Sequence, residues 1–215
     1  MAKFPDNVQH DFNLEVVHRG FLQCRQSDDQ LVLTDYLEAY HELNRFFRLS
    51  GRLFGFVAND LEEKIHVLES HLSGPNGKNY RTIQLMIEFE VTNNITKTKH
   101  KLPSGSRSLL RLHRGLEFIL EFMRRLGNSS DDDRSSVIAA DTYRDTLSKY
   151  HPWIVQKMAG VAMYMLPSRR QLFETMCRHD YTHALELLSS VVNAGKPVYD
   201  TTQNIYAEYG LLDLP

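Results

Sequence analysis

The sequence is poor in cysteine: Cys24 and Cys177 are its only two, and no C-x-x-C occurs. That speaks against a disulfide framework and against a zinc site built on thiolates, and it fits a reducing compartment. A surplus of charge of one sign is also lacking, since 25 Lys and Arg stand against 27 Asp and Glu, a formal net charge of -2. Nothing global draws such a chain to nucleic acid, so any anion site has to be a local patch. No long apolar run is present either. The most apolar stretch, MAGVAMYML over 158–166, falls well short of the roughly 20 residues of a membrane span. The start, MAKFPDNVQHDFNLEVV, lacks the apolar stretch of a signal peptide, and a soluble cytosolic protein is the expectation.

Strand-like alternation, internal repeats and low-complexity linkers are missing too, which leaves helical periodicity as the organising pattern. The spacing of apolar residues predicts helices over 12–26, 34–49, 52–72, 78–97, 105–126, 134–150, 152–166, 169–178, 181–193 and 197–209. Thr34 is placed to cap the second, SGPNG at 73–77 separates the third and fourth, and KLPSG at 101–105 precedes the fifth. GNSSDDD at 127–133 reads as a solvated loop whose last acids favour the next helix start. Pro152 suits a first turn, and Pro167-Ser168 supplies a stop followed by a cap. With 215 residues, 42% of them hydrophobic, the chain is long enough for one fair-sized core. The expectation is a single all-α domain over 1–215, with residues 1–11 flexible. So many varied helices suit a layered helical sandwich better than a four-helix bundle.

Three stretches invite a chemical reading. In RSLLRLHRGLEFILEF over 107–122, Leu109, Leu112, Leu116, Ile119, Leu120 and Met123 define a core face. Arg107, Arg111 and Arg114, at i, i+4 and i+7, fall on the other side. A solvated face explains arginines alone. It does not explain why the same stripe continues into Gly115, Phe118 and Phe122, whereas the wall of a pocket for an amphiphile would be cationic at one end and apolar at the other. In DLEEK over 60–64, Asp60 and Lys64 flank an apolar stripe that includes Val57, with Phe56 beside them. They make either an i,i+4 ion pair, which on a surface is worth only about 0.2–0.5 kcal/mol, or an acceptor and a cation for a polar ligand. In YHPW over 150–153, His151 is biased by the following proline towards a bend. Trp153, the only tryptophan, suits a core or a membrane interface equally well.

Together DLEEK at 60–64, RSLLRLHRGL at 107–116, YHPW at 150–153, LPSR at 166–169 and YAEYGLLDLP at 206–215 resemble the glycolipid transfer protein family. The resemblance runs from about Phe12 to Pro215 and is closest to the members that carry ceramide-1-phosphate. It implies an all-helical two-layer sandwich enclosing one sphingolipid, and non-vesicular transfer of a phosphate-headed sphingolipid, ceramide-1-phosphate foremost, between membranes. By the same resemblance Asp60 and His151 hold the ceramide amide, and Lys64, Arg107 and Arg111 take the phosphate. Glycolipid-binding members usually carry Asn at the position of Lys64 and a sugar-stacking Trp at that of Arg111. Exchanging a stacking ring for a fork of donors suits phosphate oxygens. Phe56, Val57, Phe118 and Phe122 are the candidates for the chain pocket, and Trp153 and Lys157 for membrane contact. Relatives that bind phosphate tend to show adjacent bases after HPW where this chain has Gln156-Lys157. Lys97, Lys99 and Lys101 could add a longer-range field, and Arg114 could instead pair with a carboxylate on a neighbouring helix.

Selectivity in such a carrier has to come from the head group. Two lipid chains hold roughly 30 methylenes, at about 0.8 kcal/mol each against water. The bilayer already buries them, so exchange is nearly neutral, while each charge-assisted hydrogen bond contributes about 1.5–3 kcal/mol. No cofactor, metal or covalent step is needed, and a monomer suffices. An enzyme is disfavoured: HDYTH at 179–183 offers two histidines but no H-E-x-x-H glutamate and no third ligand nearby in sequence, and no G-x-S-x-G is present. A nucleic-acid module is disfavoured by the net charge. A lipid-gated sensor or adaptor would use the same site without bulk transfer and stays open.

Overall fold

A computed structural model describes residues 12–99 and 101–215; the flexibility expected of residues 1–11 lies outside them. Nine α-helices are present among the described residues: α1 Leu14–Cys24, α2 Leu33–Leu49, α3 Gly55–Leu72, α4 Ile83–Thr92, α5 Gly105–Gly127, α6 Ser135–Asp145, α7 Trp153–Tyr164, α8 Arg169–Met176 and α9 Tyr181–Glu208. Three 3-10 turns, Arg52–Phe54, Gly77–Tyr80 and Ser148–Tyr150, link them. Among the described residues, pairing between extended residues is limited to isolated bridges such as Phe12 with Cys177. No described helix is long and apolar enough to cross a membrane.

Helix α1 packs on α2 and α9, α2 on α3, α3 on α5, and α5 on α9. This circuit closes around one hydrophobic core that runs from Phe12 to Leu214. The all-α layered sandwich expected from the sequence is therefore what forms. Helix α5 is its centre, touching α3, α4, α6 and α9, and Leu109, Leu112, Leu116, Ile119, Leu120 and Met123 are all buried as its pattern demanded. Helix α9 approaches α5 closely at Gly195, where an added Cβ would lie 2.7 Å from Leu120 Cδ2.

Both ends of α5 are tied by charged side chains. At its start Ser104 Oγ accepts from Arg107 N at 3.2 Å. The fully buried Glu90 of α4 accepts from Gly105 N at 2.6 Å, Ser106 N at 2.9 Å and Tyr80 Oη at 2.9 Å. A carboxylate here satisfies two otherwise orphaned amides and sits at the positive end of the helix dipole. At the far end the buried Arg169 donates to the Leu126 and Gly127 carbonyls at 3.3 and 3.4 Å and pairs with Asp131. Asp131 also pairs with Arg170 and accepts from Tyr181 Oη, while Asp133, next to the cap residue Arg134 of α6, accepts from Ser130 N at 2.7 Å.

Other boundaries shift for physical reasons. Thr34 does not cap α2: the helix already starts at Leu33, whose N–H donates to Arg81 O at 3.0 Å, and the cap residue Val32 pairs with Thr82. Thr82 then caps α4, accepting from Leu85 N at 3.2 Å, so the helix expected over 78–97 is a 3-10 turn and a shorter α-helix. The helix expected over 134–150 divides likewise after Asp145. The two helices expected at 181–193 and 197–209 are one, with Pro197 inside it. Proline normally disfavours a helix interior. Here residues on both sides of it, from Ala184 to Tyr206, are buried, and that shared packing keeps the helix continuous. Ser168 does cap α8, accepting from Gln171 N, and Pro152 does stand at the start of α7.

Candidate functional site

A cleft of about 680 Å³ opens beside α3, α5 and α7. Its polar lining comes from Asp60 of α3, Arg111 and Arg114 of α5, and Tyr150 and His151 before α7. Phe56, Val57, Phe118, Ile119, Val155, Ala159 and Met163 supply apolar wall. Phe47, Phe54, Phe118, Ile119 and Met163 also line a second, narrow cavity of about 50 Å³ that continues among Phe122, Met123, Leu126, Phe173 and Leu188. The second space holds on the order of a few water-sized groups, so a hydrocarbon chain would enter only by parting these side chains. Phe118 and Phe122 stack with centroids 5.9 Å apart. The stripe on α5 thus runs from arginines at the cleft to phenylalanines at the apolar cavity, the polarity gradient that its spacing had suggested.

Arg111 is exposed and, among the described residues, has no hydrogen-bond or ion-pair partner. Arg107 is half-buried and engaged: Nε donates to the Pro215 main-chain oxygen at 2.8 Å, and Nη1 to Thr98 O at 3.3 Å. Burial, and secondarily the neighbouring Arg111 charge, lower its pKa. Lys64 is buried, with Nζ 3.1 Å from Asp60 Oδ1 and 3.2 Å from Glu63 Oε1. Neither Lys64 nor Arg107 lines the cleft itself. Arg114 does, but not through the ion pair with a neighbouring helix that was considered: among the described residues it forms no salt bridge, and the nearby Asp213 charge acts on it only at longer range. Its Nη2 donates to Leu212 O at 2.7 Å and its guanidinium lies 4.2 Å from the Tyr150 ring centroid. The chain after α9 folds back across α5 and offers main-chain oxygens to these arginines, a contact that no local spacing announces.

His151 is half-buried, with Nδ1 2.8 Å from Tyr143 Oη. Burial lowers its pKa, the Arg111 and Arg114 charges add to that, and Asp60 opposes them. The imidazole is therefore neutral at neutral pH. A Tyr143 hydroxyl that donates to Nδ1 leaves the ring proton on Nε2, free to donate into the cleft. Asp60 and His151 are the cleft's two donor groups for a metal, but Arg111 and Arg114 share the cleft and Lys64 adjoins it, so the charge balance suits an anion.

Helix α7 has two apolar faces. Val155, Ala159, Ala162 and Met163 line the cleft. Trp153, Ile154, Met158, Val161, Tyr164 and Met165 face outwards, Trp153 and Tyr164 being 70% and 72% exposed. Trp153 is thus not a core aromatic. Lys157 Nζ stands 5.7 Å from its ring. Sequence reasoning named Trp153 and Lys157 and left their apolar neighbours in this patch unspecified, although MAGVAMYML was already the most apolar run. A helix apolar all round ordinarily lies buried, and only its position on the outside of the fold reveals the exposed side. Tyr143 was missed as well; a tyrosine eight residues before a histidine carries no signal of its own.

A family model described as glycolipid transfer protein matches residues 31–178. The chain is 37% identical over 213 residues to a ceramide-1-phosphate transfer protein of Xenopus laevis, covering 97% of this chain and 99% of that one. It is 34% identical to the human ceramide-1-phosphate transfer protein, covering 98% and 100%. Among solved structures, human ceramide-1-phosphate transfer protein in complex with 2:0 ceramide-1-phosphate superposes with a TM-score of 0.88 at 35% identity, over 95% of this chain and 99% of that chain.

Proposed function

Because the chain belongs to the glycolipid transfer protein family, we propose that it moves ceramide-1-phosphate, or a closely related phosphosphingolipid, between membranes. The observation that carries this reading is Arg111: a guanidinium without a partner among the described residues, at the polar wall of a cleft whose other walls lead into an apolar cavity. A guanidinium fork suits two phosphate oxygens. Lys64, one side chain from the cleft, and Arg107, one helical turn from Arg111, add positive charge. Arg107 Nε and Nη1 are engaged by the Pro215 and Thr98 oxygens, so Nη2 is the donor left for a direct bond. Asp60 accepts from the ceramide amide N–H, and neutral His151 donates from Nε2 to a neighbouring lipid oxygen. The hydrocarbon passes Phe56, Val57 and Phe118 and parts the side chains around Phe122.

The outer face of α7 is the docking surface in this reading. An apolar patch of this kind marks an interaction site, and an indole at its edge suits the bilayer boundary. One helix then forms both the membrane anchor and a wall of the lipid cleft, so immersing its outer face and loosening its inner face are coupled events. A monomer carrying one lipid through the cytosol completes the cycle, and no bond in the lipid is broken.

The test is vesicle-to-vesicle transfer of ceramide-1-phosphate against a neutral glycosylceramide. Faster movement of the phosphate-headed lipid, recovered with unchanged mass, is expected. Equal rates for the two lipids would refute the phosphate assignment. Tight loading without intervesicle movement would point instead to a lipid-gated sensor.

A further inference from the structure

Sequence spacing supplied no third ligand near the two histidines of HDYTH, but folding does. Glu15, in the first turn of α1, lies with His179 and His183 so that one ligand atom from each is within 4.8 Å of the others. We propose that Glu15, His179 and His183 bind a zinc-class divalent cation that staples the start of α1 to the start of α9, on ground separate from the lipid cleft.

Zinc takes imidazole nitrogen and carboxylate oxygen at about 2.0–2.2 Å, which separates tetrahedral ligand atoms by about 3.3 Å. Glu15 Oε1 and His183 Nε2 are already 3.4 Å apart. Glu15 is exposed and both histidines are partly so, so small side-chain rotations close the remaining distances, and water can fill the fourth position. Further oxygen atoms stand beside both rings. Glu186 Oε2 lies 3.6 Å from His183 Nδ1, the nitrogen away from Glu15. Asn13 Oδ1 lies 3.0 Å from His179 Nε2. A carboxylate or amide oxygen behind a liganding imidazole fixes its tautomer and increases its basicity.

The two segments are also held in place before any ion arrives. Phe12 N donates to Met176 O at 3.1 Å and Arg178 N to Phe12 O at 2.9 Å, while Asn13 caps α1 and Asp180 caps α9. Two helix starts meet here, and their dipoles oppose a cation by about 0.3–1 kcal/mol each. Glu15 and Glu186 offset that. They stand 3.4 and 3.6 Å from the two ring nitrogens of His183, and two carboxylates there favour a cation. Soft thiolate is absent from the set, and imidazole with carboxylate suits zinc, cobalt or nickel better than calcium or magnesium.

The deciding experiment titrates Zn²⁺ into the full chain by calorimetry, and Co²⁺ under visible absorption, without chelators. The expected result is one saturable site with a dissociation constant below about 100 μM and a tetrahedral Co²⁺ spectrum. Since losing a mere orienting group costs about 10–100-fold in metal affinity, His179→Ala and His183→Ala should each weaken binding at least tenfold. If an alanine variant fails to fold, a zinc-dependent rise in melting temperature that chelator reverses and Glu15→Gln abolishes decides the same question. Absence of one-to-one binding below that threshold, or binding that survives these substitutions, overturns the proposal. Lipid transfer measured with and without chelator should be unchanged, which keeps this test independent of the head-group reading.

Discussion

Replacing Arg111 with leucine separates lipid recognition from folding more cleanly than any other substitution in the cleft. Arg111 is exposed and has no partner among the described residues, so its loss should change stability by no more than about 0.5 kcal/mol. It also relieves the charge that helps to lower the pKa of Arg107. A charge-assisted hydrogen bond contributes about 1.5–3 kcal/mol, and every 1.4 kcal/mol is a factor of ten in affinity. Arg111→Leu should therefore bind ceramide-1-phosphate roughly 10- to 150-fold more weakly, with an unchanged melting temperature and circular dichroism spectrum. Arg111→Lys keeps the charge but loses the fork, and should fall between the two. Arg107→Leu provides the contrast. It removes the bonds to the Pro215 and Thr98 oxygens, so it should lower stability as well as affinity. The assay is equilibrium binding of a short-chain fluorescent ceramide-1-phosphate, followed by intervesicle transfer. Wild-type affinity in a folded Arg111→Leu protein would refute the assignment of the phosphate to this arginine.

Three further outcomes follow from the structure. Glu90→Ala leaves the Gly105 and Ser106 amides and the Tyr80 hydroxyl without their acceptor, and should cost about 2–4 kcal/mol in urea unfolding; a loss below 1 kcal/mol would contradict the role of Glu90 as the anchor of α5. His113 is buried, its pKa lowered to about 4 by desolvation although Gln203 partly opposes this. The unfolded chain therefore binds the extra proton first: stability is intact above pH 6.5 and declines as pH falls towards 4, by about 3 kcal/mol in all. His113→Gln should flatten this part of the pH–stability curve, and an unchanged slope would count against it. Trp153→Ala, at a side chain 70% exposed, should leave the melting temperature unchanged while reducing vesicle partitioning and transfer rate; unaltered partitioning would move the docking surface elsewhere.

The residues legible in advance share a property: their roles depend on neighbours within one or two helical turns. The core face of α5, the i,i+4 contact of Asp60 with Lys64, the cap at Ser168 and the cationic-to-aromatic stripe from Arg107 to Phe122 all follow from 3.6-residue periodicity. Failures occurred where a distant segment supplied the partner. Thr34 lost its cap role because Val32 pairs with Thr82 across the fold. Arg114 met the Leu212 carbonyl and the Tyr150 ring where a carboxylate was anticipated. Pro197 continued a helix that local preference would have divided, because burial on both sides outweighs its cost.

An all-helical chain, the helix that carries the cationic stripe, and the family whose motifs it bears were all readable from the amino-acid order. Short-range periodicity and residue chemistry suffice for each. It took the closed fold to show that, among the described residues, Arg111 is the arginine of the stripe without a partner while Arg107 and Arg114 are held by the returning chain, that the outer face of α7 is exposed, and that Glu15 joins His179 and His183. Those outcomes depend on which long-range pairs form when helices far apart in sequence close around one core, and local spacing carries no record of that closure.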